Sequence, residues 1–337
     1  MEQMRIIVRA PNWVGDCVLA IPALKSLRRG FPGAGIWVAA RAGTAELFTV
    51  NGLADGTVAL PEDNGWRGLR QASRTIKERS FDAGLLLTNS VGSALLFYLA
   101  GIPERWGYAA DGRSLLLTKP VPRPSSSAPR HHLHYYLDLL AGLGLDAMPP
   151  ELKIDLPAKD REAARARLKQ LGIDPARPIV ALCPGASYGP AKRWPAGNFA
   201  AAAALIQERH GAEILIIGSA SEAGIAAAIR KEMPRQPRVL TGATSLRELM
   251  GVLACATLVI SNDTGPMHLA NALGVPVVGI FGPTDPAVTG PFRQPSRVVK
   301  KDVPCWPCYY RRCPLDHRCL ALIAPGEVAA AAESLWP

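Results

Sequence analysis

The sequence predicts an α/β protein made of two doubly wound halves, and three observations carry that prediction. At 337 residues the chain is about two domains long. Short apolar runs alternate with helix-like stretches across loops of Gly, Pro, Ser and Thr, the pattern of parallel strands joined by helices. The pattern also restarts: the strand, Pro/Gly loop and helix of RIIVRAPNWVGDCVLAIPAL return in kind at PIVALCPGAS, from Pro178 onward.

In the first half, Met4 to Arg9 is a strand followed by a Pro/Gly loop from Ala10, then an amphipathic helix stopped near Gly30. Ile36 to Ala39, Gly56 to Leu60, Phe81 to Thr88 and Arg105 to Gly107 are the next strands, each bounded by turn residues. Pro120 to Pro129 lacks core-forming content and reads as a loop, with HHLHYYLDLLAGLG as the helix behind it. A polar stretch, Pro157 to Arg161, and a helix to Gly172 lead into the second half. Its strands are Ile179 to Leu182, Glu213 to Ile217, Val239 to Leu240, Leu258 to Ile260 and Val277 to Phe281. Ala324 to Trp336 reads as a final amphipathic helix. The expected organisation is a first domain over 1–157, a second over 158–323 and the terminal helix over 324–337. In open α/β sheets ligands sit beyond the carboxyl ends of strands, so the loops from Ala10, Cys183, Gly218, Thr241, Ser261 and Gly282 are the candidate site.

Composition narrows the function. Charged residues at 20%, hydrophobic ones at 48%, and 31 Gly with 30 Pro in no period exclude disorder, collagen and coiled coil. The longest apolar runs, Leu95 to Ile102 and Gly274 to Gly282, fall short of the roughly 18 residues of a membrane span. Met1 to Arg9 runs into a strand with no signal-peptide core, so a cytosolic protein is expected. The net charge of +10 favours an anionic partner: nucleic acid, a phosphorylated metabolite or an anionic membrane surface. Only 6% of residues are aromatic and no basic helix is present, which weighs against nucleic acid. No G-x-G-x-x-G follows a strand and no P-loop signature occurs, which weighs against a dinucleotide dehydrogenase and a P-loop enzyme.

The sharpest motif is TLVISNDTGPMHLANALGVPVVGIFGPT. A strand ends at Asn262 and Asp263, and a helix opens at Gly265 and Pro266, where the missing proline N–H costs nothing. The free N–H groups near Gly265, Met267 and His268, with side-chain donors from Thr264 and His268, can cradle phosphate; an ordinary capped helix is the other reading. Ser187, Lys192 and Arg193 lie on a glycine-containing loop, where the lysine is either a phosphate countercharge or a solvated turn residue. Glu222 follows a strand-end glycine and could accept two ribose hydroxyls or simply start a helix. In APNWVGDCVLAIP, Asp16 stands at a strand-to-helix loop with no nucleophilic triad nearby, so it is a lone general base or a helix cap.

Taken together, PNWVGDCVLAIPALKSLRR, PGASYGPAKRWP, GSASE, the NDTGPMHLA block and CWPCYYRRCPLDHRCL resemble the ADP-heptose:lipopolysaccharide heptosyltransferases, glycosyltransferase family 9, over nearly the whole chain. The resemblance implies a GT-B fold, two Rossmann-like domains facing across a cleft, with acceptor on the first and sugar nucleotide on the second and the terminal helix, 324–337, packing back on the first domain. It implies an inverting transfer of heptose from ADP-L-glycero-β-D-manno-heptose to the anionic lipopolysaccharide inner core, the second heptose onto heptosyl-Kdo2-lipid A. Asp16 would be the base. Ser187, Lys192, Thr264, Gly265 and His268 would hold the diphosphate, Glu222 the ribose and Leu240, Thr241 and Gly242 the adenine edge, with Asp263 structural or against the sugar. ADP-heptose is then the donor substrate, and no cofactor or essential divalent metal is expected. Asn89, Ser90, Arg105, Tyr108, Arg113, Arg130 and His132 are the candidate acceptor contacts. A membrane-borne acceptor implies peripheral contact with the cytoplasmic face of the inner membrane.

Cys305, Cys308, Cys313 and Cys319 are spaced C-x2-C-x4-C-x5-C around His317. The short gaps suit a tetrahedral zinc site less well than two separated pairs do. The segment also offers Trp306, Tyr309, Tyr310, Arg311 and Arg312 to an acceptor. The rival readings are transfer to another core position, another GT-B sugar-nucleotide enzyme such as a 2-epimerase, and a non-catalytic binding protein.

Overall fold

The computed structural model describes residues 3–50, 52–63, 65–124, 129–146, 149–174 and 176–337, so part of the loop expected at Pro120 to Pro129 lies outside the described residues. It forms two compact units, Met1–Leu152 and Lys153–Pro337, the boundary falling five residues before the expected one.

The strands of the first unit are β1 (Arg5–Arg9), β2 (Gly35–Arg41), β3 (Gly56–Leu60), β4 (Ala83–Leu86), β5 (Glu104–Tyr108) and β6 (Lys119–Val121). Its helices are α1 (Val14–Leu19), α2 (Ile21–Gly30), α3 (Ala42–Val50), α4 (Trp66–Lys77), α5 (Val91–Leu99) and α6 (His132–Gly142). The second unit carries β7 (Ile179–Cys183), β8 (Glu213–Ile216), β9 (Arg238–Val239), β10 (Leu258–Asn262), β11 (Val277–Phe281) and β12 (Ser296–Lys300). Its helices are α7 (Ala158–Gln170), α8 (Ala196–His210), α9 (Ala223–Glu232), α10 (Leu246–Leu253), α11 (Gly265–Ala272), α12 (Pro286–Thr289), α13 (Arg318–Ala321) and α14 (Pro325–Glu333).

Both sheets are parallel, ordered β3-β2-β1-β4-β5-β6 and β12-β11-β10-β7-β8-β9. Counted from the first strand of each unit, both follow the order 3-2-1-4-5-6 of dinucleotide-binding domains. The order reverses between β1 and β4 in one sheet and between β7 and β10 in the other. Register places Arg9 opposite Leu86 across the first pair and Cys183 opposite Ser261 across the second. β4, β7, β10 and β11 are buried at every position, which is why they read as unbroken apolar runs rather than alternating ones.

Two expectations are corrected. The helix ending at Gly30 is two helices, α1 and α2, divided at Ala20, with Pro22 at the start of the second. Two edge strands were not anticipated: β6 contains Pro120, tolerable only at an edge, and β12 has too little buried surface to stand out. The terminal helix, α14, packs against α8, β11 and β12 within the second unit.

Candidate active site

In the first unit, the loops after β1 and β4 and the first turn of α6 surround a cavity of about 480 Å³, lined by Asp16, Asn12, Trp13, Asn89, Ser90, Arg123, His132, Tyr135 and Tyr136 among others. Asp16 is in the first turn of α1, where the helix dipole favours its charge. His132, Tyr135 and Tyr136 share one face of α6 by their i, i+3 and i+4 spacing. The His132 ring stacks on Tyr135 at 5.4 Å and meets Tyr136 edge-on at 5.2 Å, which fixes its imidazole. His132 Nε2 stands 4.0 Å from Asp16 Oδ1. Burial holds the His132 pKa below its ordinary value, against the opposing pull of Asp16, and burial with Asp16's charge drives the Tyr136 phenol well above its own. Asp16 therefore shares the cavity with two groups held in their neutral forms, His132 and Tyr136.

Three of the expected acceptor residues, Asn89, Ser90 and His132, line the cavity, while Arg130 pairs with Asp138 at 2.6 Å. Asn89 Nδ2 donates to the Tyr135 hydroxyl at 2.6 Å, and Ser90 caps α5 by accepting from Ser93 N. Three others bond to backbone carbonyls. The Arg105 guanidinium donates to the carbonyls of Leu116, Ile102 and Pro103. Tyr108 is buried and gives its hydroxyl proton to the Tyr135 carbonyl. Arg113 is fully buried and donates to the Thr88 and Tyr108 carbonyls and toward Asn89 and Ser93, holding the β4–α5 loop. The proximity of His132 to Asp16 was not legible in the sequence, because 116 positions separate them. Arg123, Tyr135 and Tyr136 were missed for the same reason.

In the second unit the loops after β7 and β10 meet at the reversal point. Lys192 Nζ donates to Asp263 Oδ2 at 2.5 Å, and both side chains are almost wholly buried. The same oxygen accepts the Thr284 hydroxyl at 2.7 Å and the Thr289 hydroxyl at 3.2 Å, while His268 Nε2 lies 4.0 Å from Asp263 Oδ1. Asn262 ties the two loops, donating to the Pro184 carbonyl at 2.7 Å and accepting from Trp194 N at 3.1 Å. Thr264 is the N-cap of α11 and Gly265 its first residue, so the helix opens at this carboxylate. Ser187 is exposed on the Lys192 loop.

Glu222 is buried, accepts from Ser219 N at 2.7 Å, and fills space that only glycine leaves open. A Cβ at Gly185 would lie 1.8 Å from Glu222 Oε1, and one at Gly218 would lie 2.7 Å from Oε2. Leu240 and Thr241 follow β9; Gly242 N donates to the Gly218 carbonyl at 2.8 Å, and its φ of +70° is one that glycine adopts freely.

The Cys-rich segment braces these loops. Arg311 O accepts from Ala191 N at 3.1 Å, Pro283 O accepts from Cys308 N and Tyr309 N, and Trp306 Nε1 donates to Thr284 O. Tyr188 lies under Lys192 and Arg311, whose charges sit 4.8 and 5.2 Å from its ring. Cys305 is exposed, Cys308 and Cys313 are half-buried and Cys319 is buried. Among the described residues no group of three or more His, Cys, Asp or Glu side chains is placed to hold a metal ion. No helix among them is long and apolar enough to cross a membrane.

A family model described as glycosyltransferase family 9 (heptosyltransferase) matches residues 69–318. Lipopolysaccharide heptosyltransferase 2 of Escherichia coli strain K12 is 32% identical over 310 residues, 88% of each chain. Among solved structures, E. coli ADP-heptose lps heptosyltransferase II matches with a TM-score of 0.84 at 26% identity, over 98% of both chains. A family 9 glycosyl transferase from Veillonella parvula matches with a TM-score of 0.87 at 25% identity, over 99% of this chain and 98% of that one.

Proposed function

The chain belongs to glycosyltransferase family 9, the heptosyltransferases, and from that premise we propose that it transfers L-glycero-D-manno-heptose from ADP-heptose to heptosyl-Kdo2-lipid A, adding the second heptose of the lipopolysaccharide inner core. The observation that carries the chemistry is Asp16 in a cavity with His132, whose Nε2 stands 4.0 Å from the carboxylate, and two tyrosines. Asp16 takes the proton of the acceptor hydroxyl as that oxygen attacks the anomeric carbon, the bond from that carbon to the β-phosphate oxygen breaks, and ADP leaves with inversion.

The leaving group is met by the second unit. Lys192 has three N–H donors, one held by Asp263, which leaves two for phosphate oxygens. The α11 N-terminus at Thr264 and Gly265, with His268 and Ser187, adds donors of the kind that stabilise developing negative charge. Asp263, engaged by Lys192 and two threonines, orients the lysine. Glu222 receives the ribose hydroxyls and Leu240 to Gly242 the adenine edge. Asn89, Ser90, Arg130 and His132 contact the acceptor. Because that acceptor is a lipid, the enzyme works peripherally at the cytoplasmic face of the membrane, and it needs no divalent metal.

The test is ADP release from ADP-heptose with Kdo2-lipid A or heptosyl-Kdo2-lipid A as acceptor, in the presence of a chelator, for the unmodified protein and Asp16→Asn. Turnover only with the heptosylated acceptor, lowered by about 10²–10⁴ in Asp16→Asn, is expected. Turnover with the bare Kdo acceptor would reassign it to the first heptose.

A further inference from the structure

Three elements of the first unit bury one side each in a single core: α4 through Ala72 and Ile76, α5 through Ala94, Leu96 and Phe97, and the turn Ser114–Leu116 through Leu116, with Leu117 behind it. Their opposite sides look outward together.

Those outward sides differ in chemistry. Arg67, Arg70 and Arg74 follow i, i+3 and i+7 along α4, one stripe of an amphipathic helix with Lys77 beside it, and all four side chains are exposed. α4 holds no acidic residue, and Asp63, just before it, gives its two oxygens to Gly65 N and Gly68 N. On α5, Val91, Leu95, Tyr98 and Leu99 follow i, i+4, i+7 and i+8 and make an apolar side, exposed except for half-buried Leu95. Leu115, on the turn, is 95% exposed. Trp66 opens α4, is exposed, and lines a cavity of about 370 Å³ together with Gly92 of α5, so the cationic and apolar sides meet there.

A leucine held almost wholly in water among other exposed apolar side chains carries a penalty that burial against a partner relieves. The neighbouring cations decide the partner's chemistry. Burying four cations against an apolar protein face would strand their charges, whereas an anionic bilayer offers headgroup phosphates to Arg and Lys and an acyl boundary to Trp, Tyr and Leu.

We propose that α4, α5 and the Ser114–Leu116 turn form the face by which the protein docks on an anionic phospholipid bilayer. The proposal rests on the lipid-acceptor reading above and gives it a surface; the arginines meet the bilayer's own phosphates. The Trp66 cavity shares Asn12 and Ser90 with the Asp16 cavity, so docking by this face brings the bilayer alongside the base.

The experiment is sedimentation of the full chain, without donor or acceptor, on vesicles of phosphatidylethanolamine with phosphatidylglycerol and on vesicles of phosphatidylcholine alone. Partition onto the anionic vesicles only, weakened by salt, is expected. Each cation near an anionic surface is worth about fivefold in affinity, so Arg67→Gln, Arg70→Gln and Arg74→Gln together should weaken partition about a hundredfold. Leu115→Ser should weaken it about tenfold. A control with three exposed cations of the second unit removed, Lys159→Gln, Lys169→Gln and Lys231→Gln, has the same net charge and should stay within about threefold of the parent. Equal losses in the control and the face variant would reduce the binding to net charge and overturn the proposal, as would equal partition onto both vesicle types or onto neither. A dimer dissociated by Leu115→Ser, with no vesicle binding, would give the face to a second copy of the chain and overturn it too. Vesicle binding is read without turnover, so it supports the docking face even if no heptose is transferred. Turnover on detergent-dispersed heptosyl-Kdo2-lipid A should stay within about threefold in the triple arginine variant, and a loss there as large as on vesicles would place the arginines in catalysis rather than docking.

Discussion

Replacing Lys192 with methionine keeps most of the aliphatic stem and removes one partner of the buried pair with Asp263. The pair is 2.5 Å long, with side chains 10% and 4% exposed. At an effective dielectric of about 20 its gross attraction is about 6–7 kcal/mol, most of it offset by desolvation. Removing one member leaves the other charge uncompensated, at a cost of about 3–5 kcal/mol. Asp263 retains its hydroxyl donors from Thr284 and Thr289, which places the expected loss at the lower end, about 3 kcal/mol. With a urea dependence of about 2–3 kcal/mol per molar, the second unit's midpoint should fall by about 1–1.5 M. The double variant Lys192→Met with Asp263→Asn removes both charges and should recover most of that loss. Hydrogen exchange in urea reads the two units separately: amides of β7, β8 and β10 should lose protection while those of β1, β2 and β4 keep it. A midpoint shift below about 0.3 M, or a double variant no more stable than the single, would refute the buried-pair reasoning.

His132 has a lowered pKa in the folded protein, whereas in the unfolded chain it takes up a proton near its ordinary pKa of about 6.5. The unfolded state therefore binds more protons below that pH, and the His132 contribution to stability falls as pH drops from about 6.5 toward 5. In His132→Gln this part of the decline should vanish, and equal losses between pH 7.5 and 5 in urea denaturation would rule it out. Gly185→Ala puts a methyl where Glu222 Oε1 sits, so the carboxylate must turn away and the ADP-heptose KM should rise about tenfold, the effect of one lost charge-assisted bond; an unchanged donor KM would remove Glu222 from the ribose. Arg113→Met strips donors from the buried Thr88 and Tyr108 carbonyls and should cost about 3 kcal/mol, read as a lower thermal midpoint. A drop no larger than that of an exposed Arg→Met control would contradict the structural role.

Much of the fold was legible because it is carried by local pattern. β3 and β11 begin and end where Gly56 to Leu60 and Val277 to Phe281 were expected. Most other strands differ by a residue or two at their ends, where pairing rather than composition sets the limit. β12 escaped because an exposed edge strand carries little apolar signal, and β6 because proline masks one. The loops bearing Asp16, Lys192 and Asp263 were legible for the same reason, since each follows a strand directly. What the sequence could not supply was pairing across distance. His132 beside Asp16, and Thr284 and Thr289 on Asp263, are separated by 116, 21 and 26 positions and meet only through the sheet order. Arg105 and Tyr108 in β5 and Arg113 on the loop after it turn polar atoms inward to backbone carbonyls, and nothing local in the sequence shows it.

The brace running from Trp306 to Arg311 fastens to its neighbours largely by main-chain atoms: Arg311 O, Cys308 N, Tyr309 N and Tyr309 O, which accepts from the Tyr188 hydroxyl, with the Trp306 Nε1 bond to Thr284 O beside them. Lys192 and Thr284, which converge on one carboxylate oxygen, stand on the two loops it fastens. Force applied to one loop is thus passed along a short peptide strap to the other, so the lysine and the threonine hold their spacing as a caliper holds its jaws. Such a strap depends on the path of the chain more than on the identity of its side chains, and its thiols can drift over generations while the gauge it sets stays the same.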